Sequence, residues 1–153
     1  MKFKRFYSIL SACLPLCLSA FLMTGCISDP ECHQLQKIRA GMIVDSKLNT
    51  LTLTGIANDS VLYRNAQGGQ TLQLPLRPDT NVTAYKLEWH EQSDTIFIRH
   101  INDYRYISFA CGCFVYFVID SAWSTHHFVD TFAILDSDVS DQTTDNLILT
   151  AQP

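Results

Sequence analysis

Breakers, repeats and cations are all scarce in this chain. Six glycines and five prolines in 153 residues are too few for a collagen or a low-complexity coil, and no window of helical length keeps a 3.6-residue apolar period, which excludes a coiled coil. Charged residues make up only 17% against 47% hydrophobic, a balance that excludes a disordered chain. Of the eleven Lys and Arg, three fall in the first five residues. Once residues 1–25 are taken off, eight cations face 15 Asp and Glu, a net charge of −7. A phosphate backbone is bound by clustered cations that release its counterions, and no run of Lys or Arg exists here, so nucleic acid is not an expected partner. Internal repeats, a nucleophile elbow and zinc-ligand spacings are absent too. A chain of this length buries roughly two-thirds of its unfolded surface in one core, which implies one domain.

What is present begins at the amino terminus. Lys2, Lys4 and Arg5 precede residues 6–23, which are apolar apart from Ser8, Ser11 and Ser19 and carry Pro15 in their middle; this is the layout of an export signal. Leu22, Met23, Thr24, Gly25 and Cys26 resemble the bacterial lipobox, with Met23 in place of the usual Leu. The resemblance implies cleavage after residue 25 and a diacylglyceryl group on Cys26. An uncleaved anchor is the alternative, since a mostly apolar segment of 18 residues just spans a bilayer. Each buried methylene adds about 0.8 kcal/mol, and more than one acyl chain is needed for stable anchoring, which a diacylglyceryl cysteine supplies. Asp29 and Glu31 follow, either as an acidic export tag or as part of a solvated tether over residues 26–38.

The remainder, residues 39–153, reads as strands. Short runs rich in Val, Ile, Leu, Thr and aromatics recur at 40–44, 51–56, 61–63, 72–76, 82–90, 95–101, 104–119, 125–135 and 146–150, with turn signals at Asn58–Asp59, Gly68–Gly69, Pro78–Asp79 and Asn102–Asp103. The expected fold is all-β, a single antiparallel sandwich, immunoglobulin-like or related, of about seven to nine strands. A two-residue loop at Gln92–Ser93 would pair Trp89 with Ile96, Leu87 with Ile98 and Tyr85 with His100; a turn at Asn102–Asp103 would then pair Ile98 with Ile107 and Ile96 with Phe109. Leu87, Trp89, Ile96, Ile98, Ile107 and Phe109 are thereby predicted to share one buried face, and Cys111 and Cys113 to continue it unless Gly112 introduces a bulge.

Few residues suggest chemistry. With Cys26 lipidated, Cys32, Cys111 and Cys113 remain in an exported, oxidising setting. Cys111 and Cys113 would lie about 6.7 Å apart on an extended strand with parallel side chains, so Cys32 is the expected partner of one of them, closing a loop worth roughly 4 to 5 kcal/mol in the chain-entropy model. His126 and His127, as strand neighbours, would point to opposite faces and hold no common metal. His90 and His100 are expected too far apart for one site. Ser124, His126 and Asp130 supply the residue types of a hydrolytic triad without its motif. Asp136, Asp138, Asp141 and Asp145 suggest a calcium loop, but the central glycine is missing and Leu147 stands where a bidentate Glu would be required. No metal or cofactor is expected. Asp59-Ser60-Val61, Asp94-Thr95-Ile96 and Asp120-Ser121-Ala122 are similar to a bacterial O-glycosylation motif; Thr95, expected at a hairpin tip, is the most accessible of Ser60, Thr95 and Ser121.

Gly55-Ile56, Asn58-Asp59-Ser60-Val61-Leu62-Tyr63, Leu74-Pro75-Leu76, Cys111-Gly112-Cys113 and Thr125-His126-His127-Phe128-Val129-Asp130, in that order and spacing, are similar to the small Bacteroidota lipoproteins grouped as domain of unknown function 6452. The resemblance implies a bacterial envelope address and single-domain extent, and no catalytic or binding residue. The expected protein is an outer-membrane lipoprotein, on the periplasmic or the surface leaflet, carrying palmitate-type acyl chains. It would act as a non-catalytic binding or structural module with an envelope protein or glycan as partner. The alternative is a hydrolase or glycan-processing accessory.

Overall fold

Alternating apolar and polar positions organise the chain into ten strands in the computed structural model, which describes residues 38–109, 111–141 and 145–152. They are β1 (Ala40–Val44), β2 (Leu51–Gly55), β3 (Ser60–Ala66), β4 (Thr71–Leu74), β5 (Val82–Trp89), β6 (Gln92–Ser108), β7 (Gly112–Ser124), β8 (Val129–Ile134), β9 (Asp138–Val139) and β10 (Asp145–Ala151). One sheet has the order β4-β1-β10-β8, the other β3-β2-β5-β6-β7-β9. Every pairing is antiparallel except β1 with β10. The result is the expected all-β sandwich, with one strand more than the upper end of the expected range. The addition is β9, whose two residues pair with Phe117 and Val118 and are too short to give a sequence period.

The inner faces of both sheets close over one core. Leu51, Leu53, Tyr85, Leu87, Ile96, Ile98, Phe117 and Ile119 come from the larger sheet, and Ala40, Met42, Val44, Leu72, Leu74, Val129, Leu147 and Leu149 from the smaller. One buried polar side chain, that of Asn146, ties the layers together. Asn146 Oδ1 accepts from Gly41 N at 3.0 Å, where the β1–β10 register slips between Gly41 and Met42. Its Nδ2 donates to the carbonyls of Asp136 and Asp138 at 3.1 and 2.9 Å. The Gly68–Gly69 turn forms as expected, and a Cβ on Gly68 would sit 2.5 Å from the Asp45 carbonyl oxygen, so that close approach requires glycine.

The central meander differs from expectation in register. The β5–β6 turn is His90–Glu91 rather than Gln92–Ser93, so Trp89 pairs with Gln92, Leu87 with Asp94, Tyr85 with Ile96 and Thr83 with Ile98. His90 takes the positive φ of 53°, a conformation for which histidine is among the better non-glycine residues. Each partner is displaced by four positions. An even displacement leaves every side chain on its original face, so Leu87, Ile96 and Ile98 are fully buried all the same.

The second expected turn does not exist. β6 runs through Asn102 and Asp103 to Ser108 and pairs with β7, placing Ile98 opposite Ala122 and Ile96 opposite Ser124 instead of Ile107 and Phe109. Asn102 is held in the strand by its amide: Nδ2 donates to the carbonyls of Pro78 and Thr80 at 3.0 and 2.9 Å, and Oδ1 meets His100 Nδ1 at 2.8 Å. A turn at this residue would break all three. The chain reverses instead just before Gly112, whose φ of +73° is open to glycine without strain.

Candidate functional site

β6 and β7 outreach every other strand of the sandwich. Their 17 and 13 residues compare with four to eight in the flanking β2, β4 and β5. The β5–β6 ladder ends at the Val82–Arg99 pair and the β7–β9 ladder at Phe117–Val139, so β6 from Asp103 and β7 up to Tyr116 form an overhanging two-stranded arm, about 20 Å of strand at 3.3 Å per residue. Its register pairs Tyr104 with Val115 and Tyr106 with Cys113. These residues continue the row that is inward-facing further back, at Ile96, Ile98 and His100. Beyond the sandwich that row emerges into water. Tyr104 and Tyr106 are 64% and 59% exposed, and Phe109 at the tip is 103% exposed. Tyr104 Oη donates to the Pro78 carbonyl at 2.9 Å, and the Tyr106 and Phe109 rings meet edge-on with centroids 5.9 Å apart. The expectation that Phe109 is buried with Ile96 is thus overturned, and Ile107 is only half-buried. Both follow from the missing turn at 102–103, without which residues 104–109 never fold back over the core.

The two arm cysteines do not share the core face either. Cys113 is a free, exposed thiol, and the register slip between Tyr106 and Ser108 with the positive φ of Gly112 separates it in direction from half-buried Cys111. They are not bonded to each other. Cys26 and Cys32 lie outside the described residues.

A second feature, at the other end of β6, is built on a buried carboxylate. Asp94 was expected beside a hairpin loop; instead it points inward next to Ile96 and its side chain is wholly out of water. Burial alone would push its pKa up. The Thr125 hydroxyl and the backbone N–H groups of His127, Phe128 and Val129 outweigh that and hold it well below the usual carboxylate range. Phe128 N and Val129 N donate to Oδ2 at 2.8 and 2.9 Å, and His127 Nδ1 lies 3.0 Å from Oδ1. Asp94 is therefore the organiser of the 125–129 loop. Thr95, the expected hairpin-tip hydroxyl, is consequently a half-buried strand residue paired with Lys86. Of the three O-glycosylation candidates Ser60 is exposed, after a turn in which Asp59 has a φ of 50°, and Ser121 is half-buried in β7.

The histidines are dispersed. His126 and His127 sit in the Asp94-bound loop rather than on a strand, and each has its own partners. His126 Nδ1 faces both Ser124 Oγ at 3.4 Å and the Val129 carbonyl at 3.3 Å. That nitrogen is thus shared between a hydroxyl and a carbonyl rather than aimed at Ser124 alone. Exposed Asp130 shows no contact completing a triad with them. His100 is buried between Thr83 Oγ1 at 2.9 Å and Asn102, with its pKa lowered by burial, whereas His90 is at the exposed β5–β6 turn. Asp136 Oδ1 accepts from Asp138 N at 3.0 Å and Asp145 Oδ1 from Thr71 Oγ1 at 2.8 Å, so these carboxylates serve turns and a strand edge. Among the described residues no three His, Cys, Asp or Glu converge as a metal site. A cavity of about 190 Å³ between Leu62, Pro75, Leu76 and Tyr85 is smaller than the pockets of roughly 300 Å³ and upward that enclose small-molecule ligands.

Sequence reasoning missed the arm. The signal available was the 14-residue stretch 106–119 without a charged residue, together with a glycine at 112 and none at 102–103.

Fold and surface together define a two-sheet β-sandwich with an aromatic hairpin arm. Residues 50–150 match a family of unknown function, DUF6452, and the chain belongs to it. No curated protein and no solved structure gives a significant match.

Proposed function

We propose that this protein is a membrane-anchored lipoprotein of a bacterial envelope, the outer membrane of a Bacteroidota cell, in which the sandwich serves as a non-catalytic binding or structural module. The observation that carries the module reading is the row of exposed aromatics on the β6–β7 arm, Tyr104, Tyr106 and Phe109. Contiguous exposed apolar surface of this kind marks contact with another body, whereas a catalytic site gathers convergent polar groups in a cleft. The anchor reading rests on the cationic start, the apolar stretch and Leu22-Met23-Thr24-Gly25-Cys26. A Cys32–Cys111 disulfide is part of the reading. Cys113 being a free thiol leaves Cys111 as the arm cysteine to bond Cys32, and the bond would tie the tether to the arm.

The test is metabolic labelling with a fatty-acid probe. The wild-type chain is expected to take up the label and to fractionate with membranes, and Cys26→Ser to lose the label. Continued labelling of Cys26→Ser refutes the anchor. Crosslinked pull-down from intact cells with wild type and with Tyr104→Ser/Phe109→Ser tests the arm, and an unchanged set of partners would remove it from the module's contacts.

A further inference from the structure

The tip of the arm is chemically unlike the rest of an acidic chain. From Tyr106 to Ile119 no residue is charged, and the nearest charges back along β6, Asp103 and Arg105, neutralise each other in an ion pair of 2.7 Å. The backbone of the reversal is also provided for: Ser108 pairs with Gly112, and Cys111 N donates to Ser108 Oγ at 3.1 Å. Such a tip can leave water without stranding a charge, and with the Cys111 N–H of its turn already satisfied. At its extremity stands Phe109, with Tyr106 packed against it. An apolar ring in front and a phenol behind suit the boundary between acyl chains and headgroups, where aromatic residues with a polar end concentrate.

We propose that the β6–β7 tip, Tyr106 and Phe109 foremost, docks into the surface of the bilayer that holds the Cys26 lipid. The inference rests on the anchored reading above and adds the orientation of the domain to it. Chain length makes the arrangement reachable. Cys32 is six residues from Cys26, a span of at most about 20 Å when fully extended. A bond from Cys32 to Cys111, whose Cα atoms would stand about 6 Å apart, would hold Cys111 within roughly 26 Å of the lipidated residue. The acidic remainder is then turned away from a surface whose anionic lipids would repel it.

Cys113 is a native reporter, since it is free, exposed and in register with Tyr106. The mature lipidated protein is labelled there with an environment-sensitive maleimide fluorophore. It is then reconstituted into phosphatidylethanolamine–phosphatidylglycerol vesicles, with and without nitroxide-headgroup lipid. The expected result is a blue-shifted emission and several-fold quenching by the nitroxide. Tyr106→Ser/Phe109→Ser, equally lipidated, folded and co-sedimenting with the vesicles, is expected to lose both. An unquenched wild-type label on protein that co-sediments overturns the proposal, as does equal quenching in the double variant. An unquenched label together with tip-dependent crosslinking to an envelope protein also overturns it and assigns the tip to a protein partner. Absence of fatty-acid labelling and of co-sedimentation fails the anchored reading itself, and the docking proposal falls with it by a distinguishable route.

Discussion

Replacing Asp94 with Asn changes almost no volume and removes one negative charge from a site with no access to water. In the folded protein its two oxygens accept from Thr125 Oγ1, His127 N, Phe128 N and Val129 N. An asparagine whose oxygen takes the Oδ2 place keeps Phe128 N and Val129 N and turns its NH2 toward His127 N and the Thr125 hydroxyl, of which the hydroxyl can rotate to accept. A buried donor left unsatisfied costs about 1 to 3 kcal/mol. One stranded N–H together with the charge-assisted bonds that become neutral gives an expected loss of about 1 to 3 kcal/mol, a sizeable part of the roughly 5 to 15 typical of a domain. Acidity supplies an internal control. The folded carboxyl is held far below its unfolded value of about 3.9. Its contribution is therefore complete above roughly pH 5 and is lost as pH falls through 4 toward the folded pKa, by at most about 1.4 kcal/mol per pH unit. The variant lacks this titration, so the gap between the two proteins narrows on acidification. Urea denaturation followed by circular dichroism near pH 7 and again near pH 2.5 measures it. A variant within about 0.5 kcal/mol of wild type near neutrality, or a gap that does not close in acid, would refute the argument.

Two further substitutions probe the core and its polar tie. Leu87→Ala, at a fully buried position, is expected to lose about 2 to 5 kcal/mol. Glu88→Ala, whose side chain is 43% exposed and pairs only with Lys86 across the surface, should lose under about 1 kcal/mol; equal denaturation midpoints would contradict the assigned faces. Asn146→Ala strands the Gly41 amide and the carbonyls of Asp136 and Asp138, with an expected loss of about 2 to 4 kcal/mol. Asn146→Asp should be no better, because a carboxylate would face the two carbonyls, and a stability at wild-type level in either variant would show that the bridge is dispensable.

The strands that were legible are those whose signal is local. Residues 40–44 are an unbroken apolar run and form β1 with those bounds, and 146–150 lie within β10. Even in the meander, where the pairing was displaced by four residues, the inward faces of Leu87, Ile96 and Ile98 were readable, because a period of two survives any even slip. The turns were harder. Asn102–Asp103 has turn chemistry by composition, yet Asn102 spends its amide on Pro78 and Thr80, more than twenty residues earlier, and no local pattern encodes that competition.

The same reasoning separates the two halves of the functional reading. The charged start, the apolar stretch and the residues ahead of Cys26 act as a linear signal, and the sequence alone determines the expectation of an anchor, as it does the all-β class through period-two alternation. Whether an aspartate two residues before Ile96 is solvated or buried is not a linear property: Asp94 becomes an anion in the core only because residues 33 to 35 positions later bring their N–H groups to it. Likewise Ile107 and Phe109 read as core by hydrophobicity, yet Phe109 and its neighbour Tyr106 stand in water. They are surface residues because β6 and β7 outrun the opposing sheet, and only the assembled lengths of all ten strands decide where the core ends.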